Sequence, residues 1–214
     1  MLGTIIVPVL NGVSITLLLI GVTAVLGGAL SVAGAAGRRN GPPWVRGMVG
    51  GYVELFRNTP FIVQLFFVYF GLPSLGLRLS PFAAAALAMT LNFAAYATEM
   101  VRAGLDAVPP GQWDAGRALG LRSVAAFRRI VLPQAARAVF PALVSQVVIT
   151  MLESAVVSQI ALRDLTYEAD LIQSRTFQAF ETYAAITAIY LGLSVLLRRL
   201  LNGAGSRLLG RAAR

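Results

Sequence analysis

Long uncharged apolar runs alternate along this chain with short clusters of arginine, glycine and proline, a pattern that predicts membrane-crossing helices and the turns between them. Residues 11–36 carry no charge and run into Gly37-Arg38-Arg39-Asn40-Gly41-Pro42-Pro43, a sequence that ends helices. This first run reads as a retained helix and not a signal peptide, because no basic segment precedes it and it is too long for a signal core. A second run covers about 49–72, with Glu54, Arg57, Asn58, Thr59 and Pro60 in its first half and FIVQLFFVYF after them. Pro73, Gly76 and Pro81 mark a turn before a third run over about 82–105. A fourth, 138–162, is interrupted by Gln146 and Glu153, and a fifth, 182–200, is closed by Arg198 and Arg199. The expected fold is an all-α, polytopic transmembrane bundle of about five spans, a single domain over residues 1–214.

Composition agrees with that pattern. Of 214 residues, 57% are hydrophobic and 13% charged, too few charges to cover a water-soluble globule. Cysteine and histidine are absent, which leaves no thiol chemistry, disulfides or imidazole acid/base groups and predicts no metal site. Lysine is absent too, so all 18 basic residues are arginines and no phosphate-binding P-loop lysine exists. With the N-terminus outside, 15 arginines fall in the three cytoplasmic segments, leaving Arg78, Arg163 and Arg175 outside. The net charge of +9 therefore reads as positive-inside bias, and the arginines are not interleaved with aromatics as in a nucleic-acid surface.

The longest polar insert, residues 109–133, predicts two short helices around a glycine. Pro110 suits a first helical position, Asp114 is expected in the first turn, and Gly120 ends the helix. Ser123 is the expected cap of a second helix that stops before Pro133. Trp113, Leu119 and Leu121 supply apolar knobs among Arg117, Arg122, Arg128 and Arg129. The residues by themselves leave two uses open, lying on lipid headgroups or docking to a partner.

Here the spacing resembles a known signature. Asp114-Ala115-Gly116, three residues, Gly120, nine residues, Ile130, one residue and Leu132-Pro133 match EAA-x3-G-x9-I-x-LP, found in permease subunits of bacterial ATP-binding-cassette importers. Asp114 replaces the usual Glu and Gly116 the second Ala. The strings at residues 52–73, 95–121 and 131–143 are similar to the polar amino-acid uptake branch, the histidine, glutamine and arginine permeases, and the similarity extends over about 12–201.

That resemblance implies a subunit of the bacterial inner membrane that is not itself an enzyme. It implies pairing with a second permease subunit, identical or not, and delivery of substrate by a periplasmic or extracellular amino-acid-binding protein. A dimer of ATPase subunits would bind the ATP, so this chain would need no cofactor, and would dock on the loop through Asp114, Ala115, Gly116, Arg117, Gly120, Ile130, Leu132 and Pro133. Where the family commonly reads LKDTSL, this chain has Met151-Leu152-Glu153-Ser154-Ala155-Val156.

Glu153 is the sharpest candidate on the substrate path, because a charge near mid-membrane costs about 2.5–3.5 kcal/mol on insertion scales and so faces a cavity or a partner. Gln146, Thr150, Glu153 and Val157, with Ser154 and Ser158 alongside, give the fourth span a polar stripe, read as cavity lining or as an interhelical ladder. In the second span Pro60 predicts a kink, with Asn58, Thr59 and Gln64 as ligand candidates and Glu54 paired with Arg57. Glu99 and Arg102 are expected to pair at the cytoplasmic end of the third span, and Ala24, Gly27, Gly28 and Ser31 to form a close-packing face on the first. Residues 163–181 mix charges with Leu165, Leu171, Ile172, Phe177 and Phe180, as an outer amphipathic connector or a receiving surface for a binding protein would. The alternatives in other classes are a small secondary transporter, for which no inverted repeat is visible, and a membrane-embedded structural or interaction subunit; catalysis would have only Asp, Glu, Ser, Thr and Tyr to use.

Overall fold

The computed structural model describes residues 2–210; Met1 and residues 211–214, with Arg211 and Arg214 of the expected cytoplasmic tail, lie outside the described residues. α1 (Leu2–Asn40) is 39 residues, about 58 Å long. It overruns the expected 11–36 at both ends. Gly37, Arg38 and Arg39 remain helical, placing two cations at the negative end of the helix dipole, and the chain breaks only at Gly41-Pro42.

The second apolar run is not one helix. α2 (Pro43–Arg57) stops before Asn58 because Pro60 has no N–H to give and disfavours a helical Thr59. α3 (Phe61–Phe66) then sets off at 109° to it and continues through a π turn (Phe67–Gly71) and a 3-10 turn (Leu72–Leu75) to Gly76. The expected kink is thus a sharp break. Among the described residues four helices are long and apolar enough to cross a membrane, and five if this bent pair counts as one span.

α4 (Pro81–Asp106) is the centre of the bundle, packing along α1 and against α2, α3 and α7 (Leu132–Glu153). Its run of Ala84, Ala85, Ala88, Ala95 and Ala97, all buried, lets neighbouring backbones approach, which is what drives helix association where lipid removes the hydrophobic incentive. On α1 the matching face is Thr16, Leu19, Thr23, Gly27, Ser31 and Ala35, spaced by three or four residues and buried. Gly27 and Ser31 were expected there, whereas Gly28 faces open space. Leu19, Leu65, Met89, Met151, Val157 and Ile160 fill the core between them. Large exposed residues such as Leu18, Val25, Leu191 and Leu200 are the lipid-facing surface of such a bundle.

Pro133 does not end a helix, contrary to the expectation. α6 (Ser123–Ala126) does not stop before it but runs through a π turn (Phe127–Val131) into α7, and the 3-10 turn Ser154–Ile160 extends the rod to a continuous 38 residues. The wider π turn accommodates the missing Pro133 N–H and the bulk of its ring at the very start of α7. Arg122, not Ser123, precedes the first helical residue, and no side chain caps that end.

α8 (Leu165–Thr176) is more than a connector. Asp164 caps it, its Oδ1 accepting from the Tyr167 amide at 2.9 Å, and Asp164, Leu165, Glu168 and Ala169 are buried. The Thr16 hydroxyl of α1 accepts from the Leu165 amide at 3.3 Å. Phe177 (φ +58°) turns the chain into α9 (Ala179–Leu208), leaving Phe177 and Phe180 more than four-fifths exposed.

Candidate functional site: a docking elbow and two polar groups

The loop between α4 and α7 is built around Gly120. α5 (Pro110–Ala118) ends in a pair of bonds, Leu121 N–H to Gly116 C=O at 3.1 Å and Gly120 N–H to Arg117 C=O at 2.9 Å, which closes the last helical carbonyls in a Schellman turn. That turn requires the left-handed backbone Gly120 adopts, φ +72°. Gly116, which stands where the signature has its second alanine, also has a steric reason. A Cβ on Gly116 would lie 3.0 Å from Ala126 Cβ and 3.1 Å from Ile130 Cδ1, so an alanine there would require the following helix to give by a few tenths of an ångström.

Trp113 stacks on Phe127 with centroids 6.1 Å apart, and Gln134 Nε2 bonds Gln112 Oε1 at 3.1 Å and the Ile130 carbonyl at 3.0 Å. Trp113 therefore belongs to the elbow's own core and is not a free knob. The outward apolar contacts are Leu119, 76% exposed, and Val124, 70% exposed, on either side of Gly120. Beside them a recess of about 580 Å³ is lined by Arg122, Val124, Ala125, Arg128 and Arg129. Asp114 and Ala115 are exposed, Ile130 half-buried, and Leu132 44% exposed. Asp114 lies beyond the first turn and pairs with Arg117, so it does not act on the helix dipole as expected; both side chains are well exposed, and such a pair adds little stability.

At this end of the bundle charges tie α1 to α4. Glu99 receives Arg38 at 3.2 Å and Arg102, as expected for the latter, while Asp106 receives Arg102 at 2.7 Å and Arg39 at 3.7 Å. Arg38, 61 residues from Glu99 along the chain, and Arg39 are partners that no local spacing marks. Glu54 and Arg57 do not pair; the Arg57 guanidinium lies over the Tyr96 ring, 5.5 Å from its centroid.

The three candidates of the second span gather at the α2–α3 break. Asn58 Nδ2 bonds the Glu54 carbonyl at 2.9 Å and Thr59 Oγ1 the Leu55 carbonyl at 2.8 Å, so both close the end of α2. Gln64 reaches back across the break, its Nε2 donating to Phe56 O at 2.8 Å, Thr59 O at 3.1 Å and Thr59 Oγ1 at 2.8 Å. These groups satisfy the carbonyls that Pro60 frees. Asn92 of α4, which the sequence reading missed inside an alanine-rich run, completes the group through Gln64 Oε1 at 2.9 Å.

The α7 stripe forms a second group. Gln146, Thr150 and Ser154 are buried, with Gln146 Nε2 3.5 Å from Thr150 Oγ1 and Ser154 Oγ bonded to the Met151 carbonyl at 2.6 Å. Glu153 sits beside them half-buried at the last residue of α7, and among the described residues it makes no hydrogen bond or ion pair. The two groups do not bond to each other; Leu65 and Phe61 from one side and Met151 and Val157 from the other share the core that separates them.

A family model described as the inner membrane component of binding-protein-dependent transport systems matches residues 27–209. The arginine transport system permease protein ArtQ of Bacillus subtilis is 34% identical over 190 residues, 88% of this chain and 87% of that protein. The probable glutamine permease protein GlnM of the same organism is 39% identical over 144 residues, 67% of each. In the crystal structure of an amino acid ABC transporter with histidines, a chain 35% identical superimposes with a TM-score of 0.86 over 94% of both chains. The MetNI methionine transporter in its inward facing conformation, 23% identical with a TM-score of 0.72, shares the fold. A match over most of the chain, with relatives of this identity and coverage, establishes that the protein belongs to the family of inner membrane components of binding-protein-dependent transport systems.

Proposed function

We propose that this chain is the membrane permease subunit of an ATP-driven amino-acid importer. It pairs with a second permease subunit, rests on two ATPase subunits through the Gly120 elbow and receives substrate from a binding protein at the face carrying α8. Its N-terminus lies outside, and its elbow and C-terminus lie in the cytoplasm. The relatives that support the substrate class are named for arginine and glutamine transport.

The observation that carries this reading is the unbroken rod from Ser123 to Ile160. One end packs on the elbow through Ala126 and Ile130, and Glu153 and its polar neighbours lie near the other. A helix resists bending far more than loops do, so a tilt imposed on the elbow by ATPase closure moves the Glu153 region with it. Slack enters at the π turn Phe127–Val131 and at Pro141, which removes one hydrogen bond inside α7. Alternating access then follows as a shift between two packings of α7 against α4, biased by nucleotide on the partner chains. In this scheme Gln146, Thr150, Glu153 and Ser154 line the path, while Asn58, Thr59 and Gln64 hold the α2–α3 break open beside it.

The test is reconstitution into vesicles with the ATPase subunits and binding protein, measuring uptake of labelled arginine, glutamine and histidine. Uptake should require all components and internal or external ATP on the ATPase side. Uptake by this chain alone, driven by an ion gradient, would overturn the reading.

A further inference from the structure

Where α1, α2 and α4 meet near the elbow they form an open recess of about 370 Å³ lined by Arg38, Val53, Glu54, Arg57, Asn58, Tyr96 and Glu99, with Glu54, Arg57 and Asn58 at its exposed rim. Its size is that of a small-molecule pocket, roughly 300–1,000 Å³. Two guanidinium groups and two carboxylates balance its charge, but they are not equally engaged. Glu99 is closed off by Arg38 and Arg102. Glu54 and Arg57, placed one turn apart where an ion pair ordinarily forms, make none among the described residues.

The reason is Tyr96. The Arg57 guanidinium lies over its ring, 5.5 Å from the centroid, and among the described residues its N–H groups make no hydrogen bond or ion pair. Asn58 spends its amide nitrogen on the Glu54 carbonyl, so its Oδ1 remains an acceptor. One wall of the recess therefore offers a planar fork of donors, an unpaired carboxylate and an amide oxygen within a turn of helix. A simple anion there would meet Glu54 and Glu99, and a simple cation would meet Arg57 and Arg38. A ligand bearing a carboxylate and an ammonium on one carbon matches both halves.

We infer that this recess is a second amino-acid binding site, taking the α-carboxylate on Arg57 and the α-ammonium on Glu54. It stands apart from the Glu153 group. α7 is 22 residues long, about 33 Å, and Glu153 is its last residue, whereas Glu99 lies within two turns of the elbow end of α4. In the proposed orientation the elbow end is the side on which substrate is released, and the recess lies toward that end. The inference rests on the reading of the chain as an amino-acid permease.

The experiment is equilibrium binding of radiolabelled L-arginine, L-glutamine and L-histidine, one at a time, to the assembled complex in lipid nanodiscs without binding protein. Two classes of site are expected. Glu153→Gln should weaken one class. Arg57→Gln and Glu54→Gln should each weaken the other by about tenfold or more and leave the first intact. On the unmodified complex, arginine lacking its carboxylate should compete poorly at the second class, an arm that depends on no variant folding. A single class that follows Glu153 alone, or equal competition by decarboxylated arginine, overturns the second site and leaves the permease reading standing. No binding of any of the three amino acids, in a complex whose ATPase is active, overturns both.

Discussion

Asn92 Nδ2 on α4 donates to Gln64 Oε1 on α3 at 2.9 Å, while the Gln64 amide nitrogen donates to the carbonyls of Phe56 and Thr59. A single side chain thus joins the broken second span to the central helix and satisfies backbone that the break exposes. In a membrane interior those carbonyls have no water to turn to.

Gln64→Leu should therefore destabilise the permease by about 1–3 kcal/mol, the cost of leaving buried polar groups unpaired. Asn92 loses its acceptor at the same time. Thermal unfolding of the detergent-purified protein should show a clear drop in Tm, with Gln64→Glu intermediate because it keeps an acceptor for Asn92 but loses the donor. An unchanged Tm for Gln64→Leu would mean that the break holds without this link.

At the end of the bundle away from the elbow, Asp164 is wholly buried against α1 and α9 and caps α8. Burial pushes its carboxyl up from 3.8 to about 6, against hydrogen bonds from the Tyr167 and Thr166 amides and from Tyr190 that pull it down. A carboxyl that holds its proton more tightly when folded makes stability fall as pH rises through the interval from 3.8 to about 6, and flat above it. The change is on the order of 3 kcal/mol. Asp164→Asn keeps the cap acceptor and has no proton to lose. Its Tm should lack this pH slope and at pH 7 should equal or exceed that of the unmodified chain; a slope identical in both proteins would place the titration elsewhere.

The sequence made the helices legible where an uncharged run met a proline or glycine, as at Gly41-Pro42 and Gly76. It also carried the elbow, because the Schellman turn needs a left-handed residue and Gly120 stands at the required spacing. Pro133 misled for the converse reason. Proline signals a helix end when its missing N–H and its ring cannot be accommodated, and a π turn accommodates them. Gln64 was legible as a polar residue in an apolar span, but its partners were not, since Phe56 and Thr59 become acceptors only once the 109° break exists. Asp164 and Asn92 stayed hidden because each is polar in a segment whose burial depends on what packs across it. The same holds for Arg38, which meets Glu99 from 61 residues away.

Gly120→Val should leave membrane insertion unaffected and fail at coupling. A β-branched residue at φ +72° costs about 1–3 kcal/mol, concentrated in the turn that carries the exposed Leu119 and Val124 on either side of it. Co-purification with the ATPase subunits should fall, or hydrolysis should persist without uptake. Gly120→Asn, which tolerates the left-handed region, should restore most of both. Equal activity of the valine and asparagine variants would show that the backbone at this position does not matter for docking.

Glu153 has neither a hydrogen-bond nor an ion-pair partner among the described residues, though Thr150 and Ser154 on either side of it are buried and Ser154 is bonded within its own helix. A carboxylate in that position is stabilised by water, by substrate or by the second permease subunit, and the three differ in what its neutralisation does. Glu153→Gln removes the charge and keeps the shape. If the carboxylate serves substrate, the assembled complex should be at least as heat-stable as the parent, because an uncompensated charge in the membrane has been removed. Uptake should fall most for cationic amino acids such as arginine and least for neutral glutamine, by roughly tenfold in relative kcat/KM if one charge-assisted contact is lost. A variant that transports all substrates with parental kinetics but no longer holds the two permease subunits together would assign Glu153 to the subunit interface and remove it from the substrate path.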